Sequence, residues 1–433
     1  MTRTLWHNWA DTCRITPTRI ATPTSTAEVV AEVRAAAAAG SRIRMVGSGH
    51  SFTDIAATDG TLLSPAALAS VRSVDLAAGR ATVEAGMRLC DLNETLAAHG
   101  AALTNMGDIA VQTLAGATQT GTHGTGRASA SLAAQIQQLA LVLADGSVVT
   151  CSRDEDPDLF DAARAGLGAF GVVTAITMAV EPAFLLHARE TPMPLGEVLE
   201  RLEELRTTND HFEFFWFPHT ERTITKRNNR VPGPARPLSA FRAWLDDEFL
   251  SNSVFEVVNR MARRLPRLIP AINQISARAL TAREYVDVSY RVFTSPRRVK
   301  FVEMEYAIPV EHLPDVLHDM RAVFASSRHR ISFPVEVRFA PADDVWLSPG
   351  YGRESAYVAV HVYQGCPWQE YFADLEAIFT AAAGRPHWGK MHTRTLSYLD
   401  KVYPRLRDAL EVRERVDPHR RFTNAYLDRV WGE

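Results

Sequence analysis

The chain has 433 residues, 46% of them apolar, with 47 basic residues against 50 acidic ones and a net charge of −3. Single hydrophobic cores stop growing near about 250–300 residues, so this length predicts two domains. The near-neutral balance excludes both the broad basic footprint of a nucleic-acid binder and an acidic tail, and a small neutral substrate is the expected partner.

Cys13, Cys90, Cys151 and Cys366 form no CxxC or Cys/His cluster. Neither a disulfide framework nor a metal site is therefore expected, and the compartment reads as reducing. No apolar run approaches the roughly 20 residues of a membrane span, and MTRTLWHNWA lacks the regions of a signal peptide. A cytoplasmic protein with no integral membrane segment is the expectation.

In chain order, Ser25 predicts a helix cap, with Glu28 three residues on, Val29, Val30 and Val33 on one face and Gly40 as the stop. RIRMV reads as a short buried strand running into GSGHSF. RATVEAG and the segments flanking Asp145-Gly146 read as further strands, the latter joined by a hairpin turn. GVVTAITMAVEP closes this region. After Pro182 the texture changes to the long strands HFEFFWFPHT, FVEMEYAIP, SFPVEVRFAP and AYVAVHVYQ, with helical stretches such as LGEVLERLEELR and WQEYFADLEAIFTAAAG between them. That pattern predicts an α+β domain around an antiparallel sheet. Ten basic residues against two acidic ones between Arg260 and Lys300 read either as a solvated arginine-rich surface or as an anion-binding or membrane-peripheral patch.

Two glycine-rich stretches invite a dinucleotide reading. Gly166, Gly168 and Gly171 in GLGAFG have the fingerprint spacing, but a strand follows them where a helix N-terminus is needed to receive a pyrophosphate. GSGHSF does follow a strand, yet Phe52 stands where the third glycine belongs. With TGTHGTG at Thr120 to Gly126, however, GSGHSF makes a pair of small-residue turns able to surround a pyrophosphate with backbone N–H groups. Further along, strand alternation puts Glu336 and Arg338 on the face opposite Val335, Val337 and Phe339. It likewise puts Tyr357, Ala359, His361 and Tyr363 opposite Val358, Val360 and Val362. If the two polar faces meet, they form a substrate site.

Taken together with NMGDIAVQTLAGATQTGTHGTG, GLGAFGVVT and the late HWGKMH, GSGHSF resembles the sugar-1,4-lactone oxidase and alditol oxidase group of vanillyl-alcohol-oxidase-type FAD enzymes. The resemblance covers nearly the whole chain. It implies an α+β, two-domain flavoprotein: an N-terminal FAD-binding domain of PCMH type over 1–182, an antiparallel-sheet cap (substrate) domain over 183–385, and a segment over 386–433 returning to the FAD domain. It also implies covalent FAD through His50, with Gly47, Ser48, Gly49, Ser51 and Phe52 wrapping the cofactor. Gly107, Asp108, Thr113, Gly116, Thr120, Gly121, Thr122 and His123 would follow its other side, with Val173 and His387 further on. Lys390, in HWGK, matches the group's lysine beside the isoalloxazine.

Removing hydride from a carbinol leaves positive character on carbon, frees a hydroxyl proton and adds charge to the flavin. Arg338 and Lys390 are therefore assigned to polarise the substrate oxygen and stabilise the reduced flavin, Glu336 to orient substrate hydroxyls, and His361 and Tyr363 to hydrogen-bond or assist proton transfer. Alditol oxidases tend to have serine at the position of Asp108 and threonine at that of Tyr363. The resemblance thus implies a small sugar-1,4-lactone, L-gulono- or D-arabinono-1,4-lactone, with an alditol or another primary alcohol as the alternative. Gly107 stands at the position that gates oxygen in this group, which implies molecular oxygen as acceptor and hydrogen peroxide as product; a dehydrogenase using another acceptor is the alternative.

Overall fold

A computed structural model describes residues 4–326 and 328–432. The helix Thr26–Ala38 forms because its first turn is closed locally: the Ser25 hydroxyl accepts from the Glu28 N–H at 3.2 Å and the Glu28 carboxylate accepts from the Thr24 N–H at 2.7 Å. Val29, Val33 and Ala36 face the core. The strand that follows, Ile43–Met45, joins Arg19–Ala21 and Thr61–Leu63 in a small parallel sheet. GSGHSF leaves its end as a turn, with Gly49 at φ +68°.

A second sheet runs antiparallel in the order Val148–Ser152, Ile136–Val142, Val172–Ala179, Arg80–Glu84, Val71–Asp75. Its first two strands are the hairpin read from Asp145-Gly146, and GLGAFG leads into the strand Val172–Ala179 rather than a helix.

The third sheet has eight strands, in the order Arg283–Val288, Leu185–Pro194, Arg222–Val231, His211–Trp216, Val335–Ala340, Ser355–Tyr363, Phe301–Pro309, Arg385–Pro386, with every neighbour antiparallel. Alternation divides it. Phe214, Trp216, Val335, Val337, Phe339, Val358, Val360 and Val362 pack with the helices Leu313–Ala325 and Gln369–Ala381, which leaves the charged positions on the other face. Burial on the first face is what fixes the register, because a slip of one residue would send every charge into the core.

The segment Ala240–Ala279, almost wholly helical, lies over the charged face. At the chain's end, the helices Leu396–Val402, Leu406–Val416 and Ala425–Trp431 bury Leu399, Leu406, Leu427 and Trp431 in the core shared with the five-stranded sheet. Val345, Trp346 and Leu347, reached from the large sheet, enter that same core. Two tyrosines of the tail pin the HWGK turn: Tyr403 donates to the Pro386 carbonyl at 2.7 Å and Tyr426 to the Trp388 carbonyl at 2.8 Å. No helix among the described residues is long and apolar enough to cross a membrane.

Candidate active site

The glycine loops come together through contacts only glycine permits. A Cβ on Gly47 would lie 2.2 Å from the Thr113 Oγ1, and one on Gly116 2.8 Å from the same atom. Thr113 caps the short helix Leu114–Gln119 by accepting from the Gly116 N–H. Gly47, Ser48, Gly49, Thr113, Gly116, Gly168, Gly171 and Val173 line a narrow cleft of about 80 Å³. At His50, Ser51 and Thr120 this cleft meets a larger cavity of about 540 Å³, into which Phe52, Gly107, Asp108, Thr122, His123, His387 and Lys390 also face. Burial pushes His50 down to about 4, so its imidazole is neutral at pH 7. The Trp9 ring stacks beside it, centroids 5.4 Å apart.

The opposite wall is the charged sheet face. Register sets Arg283 beside Glu190, Glu190 beside Lys226, Lys226 beside Glu213, and Glu213 beside Arg338, so the sign alternates across successive strands. Arg338 donates to Glu213 at 3.1 Å, approaches Asp108 at 3.4 Å and contacts Glu336. Burial opposes its charge, but Glu336, Asp108 and Glu213 outweigh it and raise Arg338 well above its usual range. Burial would likewise raise Asp108, yet Arg297 at 2.6 Å and Arg338 hold it well below. For Glu336 burial wins over Arg338 and the carboxyl is raised. Its Oε1 is buried against the Arg338 guanidinium.

One register step along, Lys390 donates to Glu303 at 2.5 Å and Glu305 at 2.8 Å; burial opposes its charge, and the two carboxylates raise it nonetheless. Glu305 also meets His123 Nε2 at 2.8 Å. Burial would raise Glu303, but Lys390 and His361 hold it at about 2. His361 donates from Nδ1 to the Pro334 carbonyl at 3.2 Å, which leaves Nε2 facing the cavity 3.4 Å from Glu303.

The depressed Glu303 carries a testable sign. Its folded value of about 2 lies below the ordinary 4.5, so the carboxylate stabilises the fold fully above about pH 4.5 and loses that effect as pH falls toward 2. Glu303→Gln is expected to lower the melting temperature at pH 7, with the gap to the parent closing in acid. A gap independent of pH would refute the pairing.

Residues 176–430 match the family of D-arabinono-1,4-lactone oxidase, and residues 17–152 match the FAD binding domain. The L-gulono-1,4-lactone dehydrogenase of Mycobacterium tuberculosis is 40% identical over 99% of both chains. The L-gulonolactone oxidase of Mus musculus is 34% identical over 98% of both. The chain belongs to the D-arabinono-1,4-lactone oxidase family. An alditol oxidase from Streptomyces is a relative at 31% identity over 97% of both chains. Among solved structures, a cholesterol oxidase from Brevibacterium sterolicum has a TM-score of 0.84 and 17% identity over 99% of this chain and 97% of that one, a likeness of fold alone. This family member is an FAD-dependent oxidoreductase acting on CH–OH groups, built as the α+β, PCMH-type fold with an antiparallel-sheet domain that its sequence implied. A narrow backbone-lined cleft opening into a wide cavity suits a pyrophosphate joined to a planar ring system, so the residues present fit FAD.

Two of the residues named from sequence stand apart in this family member. Gly121, at φ +76°, turns the chain between Thr120 and Thr122 and lines neither cleft. Tyr363, expected to assist at the reaction centre, donates instead to Glu256 at 2.7 Å and braces the helix Phe255–Arg264; it stands at the end of its strand, beyond the cavity. The basic stretch is not uniformly solvated either: Arg283 pairs with Glu190 at 2.7 Å and Arg297 with Asp108. Glu303, Glu305, Glu213 and Lys226 were missed, although the alternation that found Glu336 and Arg338 also marks FVEMEY and HFEFFW. Trp9 has no local signal.

Proposed function

We propose that this enzyme oxidises a hydroxyl of a sugar-1,4-lactone of the L-gulono- or D-arabinono-1,4-lactone type, with FAD attached covalently to His50 and molecular oxygen as the acceptor, yielding hydrogen peroxide. The observation that carries the reading is the meeting, in one cavity, of the Glu336–Arg338 pair, the Lys390–Glu303–Glu305 cluster and His50. Bound FAD supplies the two-electron acceptor. Arg338 and Lys390, both held charged, polarise the substrate oxygen. Glu336, which lines the cavity beside Arg338, orients a ring hydroxyl. His361 Nε2 accepts the hydroxyl proton, and Glu303 at 3.4 Å steadies the resulting cation. The neutral His50 imidazole is the form a covalent attachment requires. On this reading residues 1–182 hold the cofactor, 183–385 cap it, and 386–433 return to the first domain. Cys13, Cys90, Cys151 and Cys366, all free thiols, accord with a cytoplasmic setting. Anaerobic bleaching of the flavin by lactones, alditols and nucleosides tests the substrate; faster bleaching by an alditol than by either lactone would overturn it.

The acceptor has its own test at Gly107. Its φ lies outside the left-handed region, so space rather than conformation explains the glycine. A Cβ there would approach the Thr122 methyl to 3.1 Å and the His123 carbonyl to 3.2 Å. Gly107→Ala is expected to slow reoxidation in air more than reduction by lactone, both read by stopped flow. Unchanged reoxidation, or equal slowing of the two steps, would make another acceptor the better assignment.

A further inference from the structure

The charged row on the cavity face of the large sheet has an apolar neighbour. Two residues along each strand from Arg338, Glu213 and Lys226, register sets Glu336 beside Phe215 and Phe215 beside Ile224. Side chains two apart share a face of a strand, so this second row points the same way as the charged one. All three of its members line the larger cavity. The row therefore begins at the carboxylate assigned to the substrate and turns apolar one strand later. At a strand spacing of about 4.8 Å, Ile224 stands about 10 Å from Glu336.

The helical segment over the sheet completes a chamber around it. Val254 and Val258, four positions apart and so on one helical face, line the same cavity, and Leu280 joins them just after the helix Ile269–Ala279. Phe255 meets Phe333 edge-on at 4.8 Å, and Phe333 stands 6.1 Å from the His361 ring, so the apolar surface reaches the reacting end. A free sugar lactone leaves this chamber unexplained. It carries hydroxyls on most of its carbons, and against Ile224, Val254, Val258 and Leu280 each would lose its bonds to water without replacement. The charged row alongside is already engaged, Lys226 with Glu213 at 3.3 Å and Arg283 with Glu190 at 2.7 Å. Nor does the flavin fill the chamber on the reading above. Lys390, expected beside the isoalloxazine, is bonded to Glu303 and Glu305 on the strand Phe301–Pro309, four places across the sheet from the strand of Ile224.

We propose that this chamber takes a short aliphatic arm of the substrate, so that the preferred substrate is a sugar-1,4-lactone carrying an aliphatic acyl group on its primary hydroxyl. The inference rests on the lactone reading above and deepens it. Glu336, Arg338 and Lys390 hold the ring, and Phe215, Ile224, Val254, Val258 and Leu280 hold the arm. The arm adds binding and leaves the oxidised carbon and its hydroxyl as they are in the free lactone.

The test follows anaerobic bleaching of the flavin-loaded full chain by stopped flow, with L-gulono-1,4-lactone and its acetyl, butanoyl and hexanoyl esters at the primary hydroxyl. Each added methylene is expected to tighten the apparent Kd about fourfold. The limiting reduction rate stays level along the series, because the arm is bound equally in the ground state and the transition state. Val258→Asp, which places a charge in the chamber, is expected to remove the dependence on chain length; the parent series decides by itself if that variant does not fold. A parent Kd that stays level or rises along the series overturns the inference and, where the free lactone bleaches the flavin, leaves the lactone reading in place. Bleaching by none of the four compounds overturns both. A chain-length dependence that persists in Val258→Asp overturns the chamber as the seat of the arm.

Discussion

Lys390→Met slows lactone-driven flavin reduction on the order of 100-fold, the effect of losing one preorganised stabiliser of developing charge. Lys390 is the one cation within bonding reach of both Glu303 and Glu305 among the described residues. Without it, hydride arrives beside two carboxylates held only by their contacts to His361 and His123. Removing a buried cation from two buried carboxylates also lowers the melting temperature, so the reduction rates are compared well below the variant's unfolding transition. Arg338 needs a different substitution. Arg338→Ala would strand Glu336, while Asp108 keeps Arg297 and Glu213 keeps Lys226, and breaking a buried pair costs about 3–5 kcal/mol. Arg338→Lys keeps the charge and loses the planar fork. It too should reduce slowly, with weakened substrate affinity. Parental reduction rates in both variants would remove these two residues from the reaction.

His50→Ala, the second large effect, converts retained flavin into released flavin. After acid precipitation and washing, the parent pellet stays yellow and the variant's supernatant carries the colour. In native buffer the variant still binds FAD, because the glycine turns at Gly47 and Gly116 and the wall of the larger cavity are untouched. A neutral imidazole lodged between the two clefts supports the proposed attachment. Colour in the parent's own supernatant would sink the covalent link and leave the noncovalent site standing.

What the sequence disclosed follows from the range of each signal. Alternation in PVEVRF and AYVAVHVYQ is local, and it located Glu336, Arg338 and His361 because one face of each strand had to be buried. The same rule reaches Glu303 and Glu305, which share one face of the strand Phe301–Pro309. Tyr363 shows the limit of the rule: period two gives the face of a strand, not how far along it the cavity extends. Partners from distant segments leave no local trace. Arg297 meets Asp108 across 189 positions, and Trp9 reaches His50 through the fold of the first strands. The same holds for the helices over the cavity, whose apolar residues read in sequence as ordinary helix composition.

The alternating row from Arg283 through Glu190, Lys226 and Glu213 to Arg338 constrains how this pocket can change over evolutionary time. Each interior member is in register with an opposite charge on either side, so a lone neutral replacement weakens the compensation of two neighbours, whereas a compensated exchange of adjacent members keeps the tally. New substrate preferences in such a cavity should therefore arise through coupled pairs, Lys226 with Glu213 or Arg283 with Glu190, while Lys390 and His361 at the reacting end stay fixed. A library that randomises those pairs jointly will yield more folded, active members than one that samples the same four positions singly.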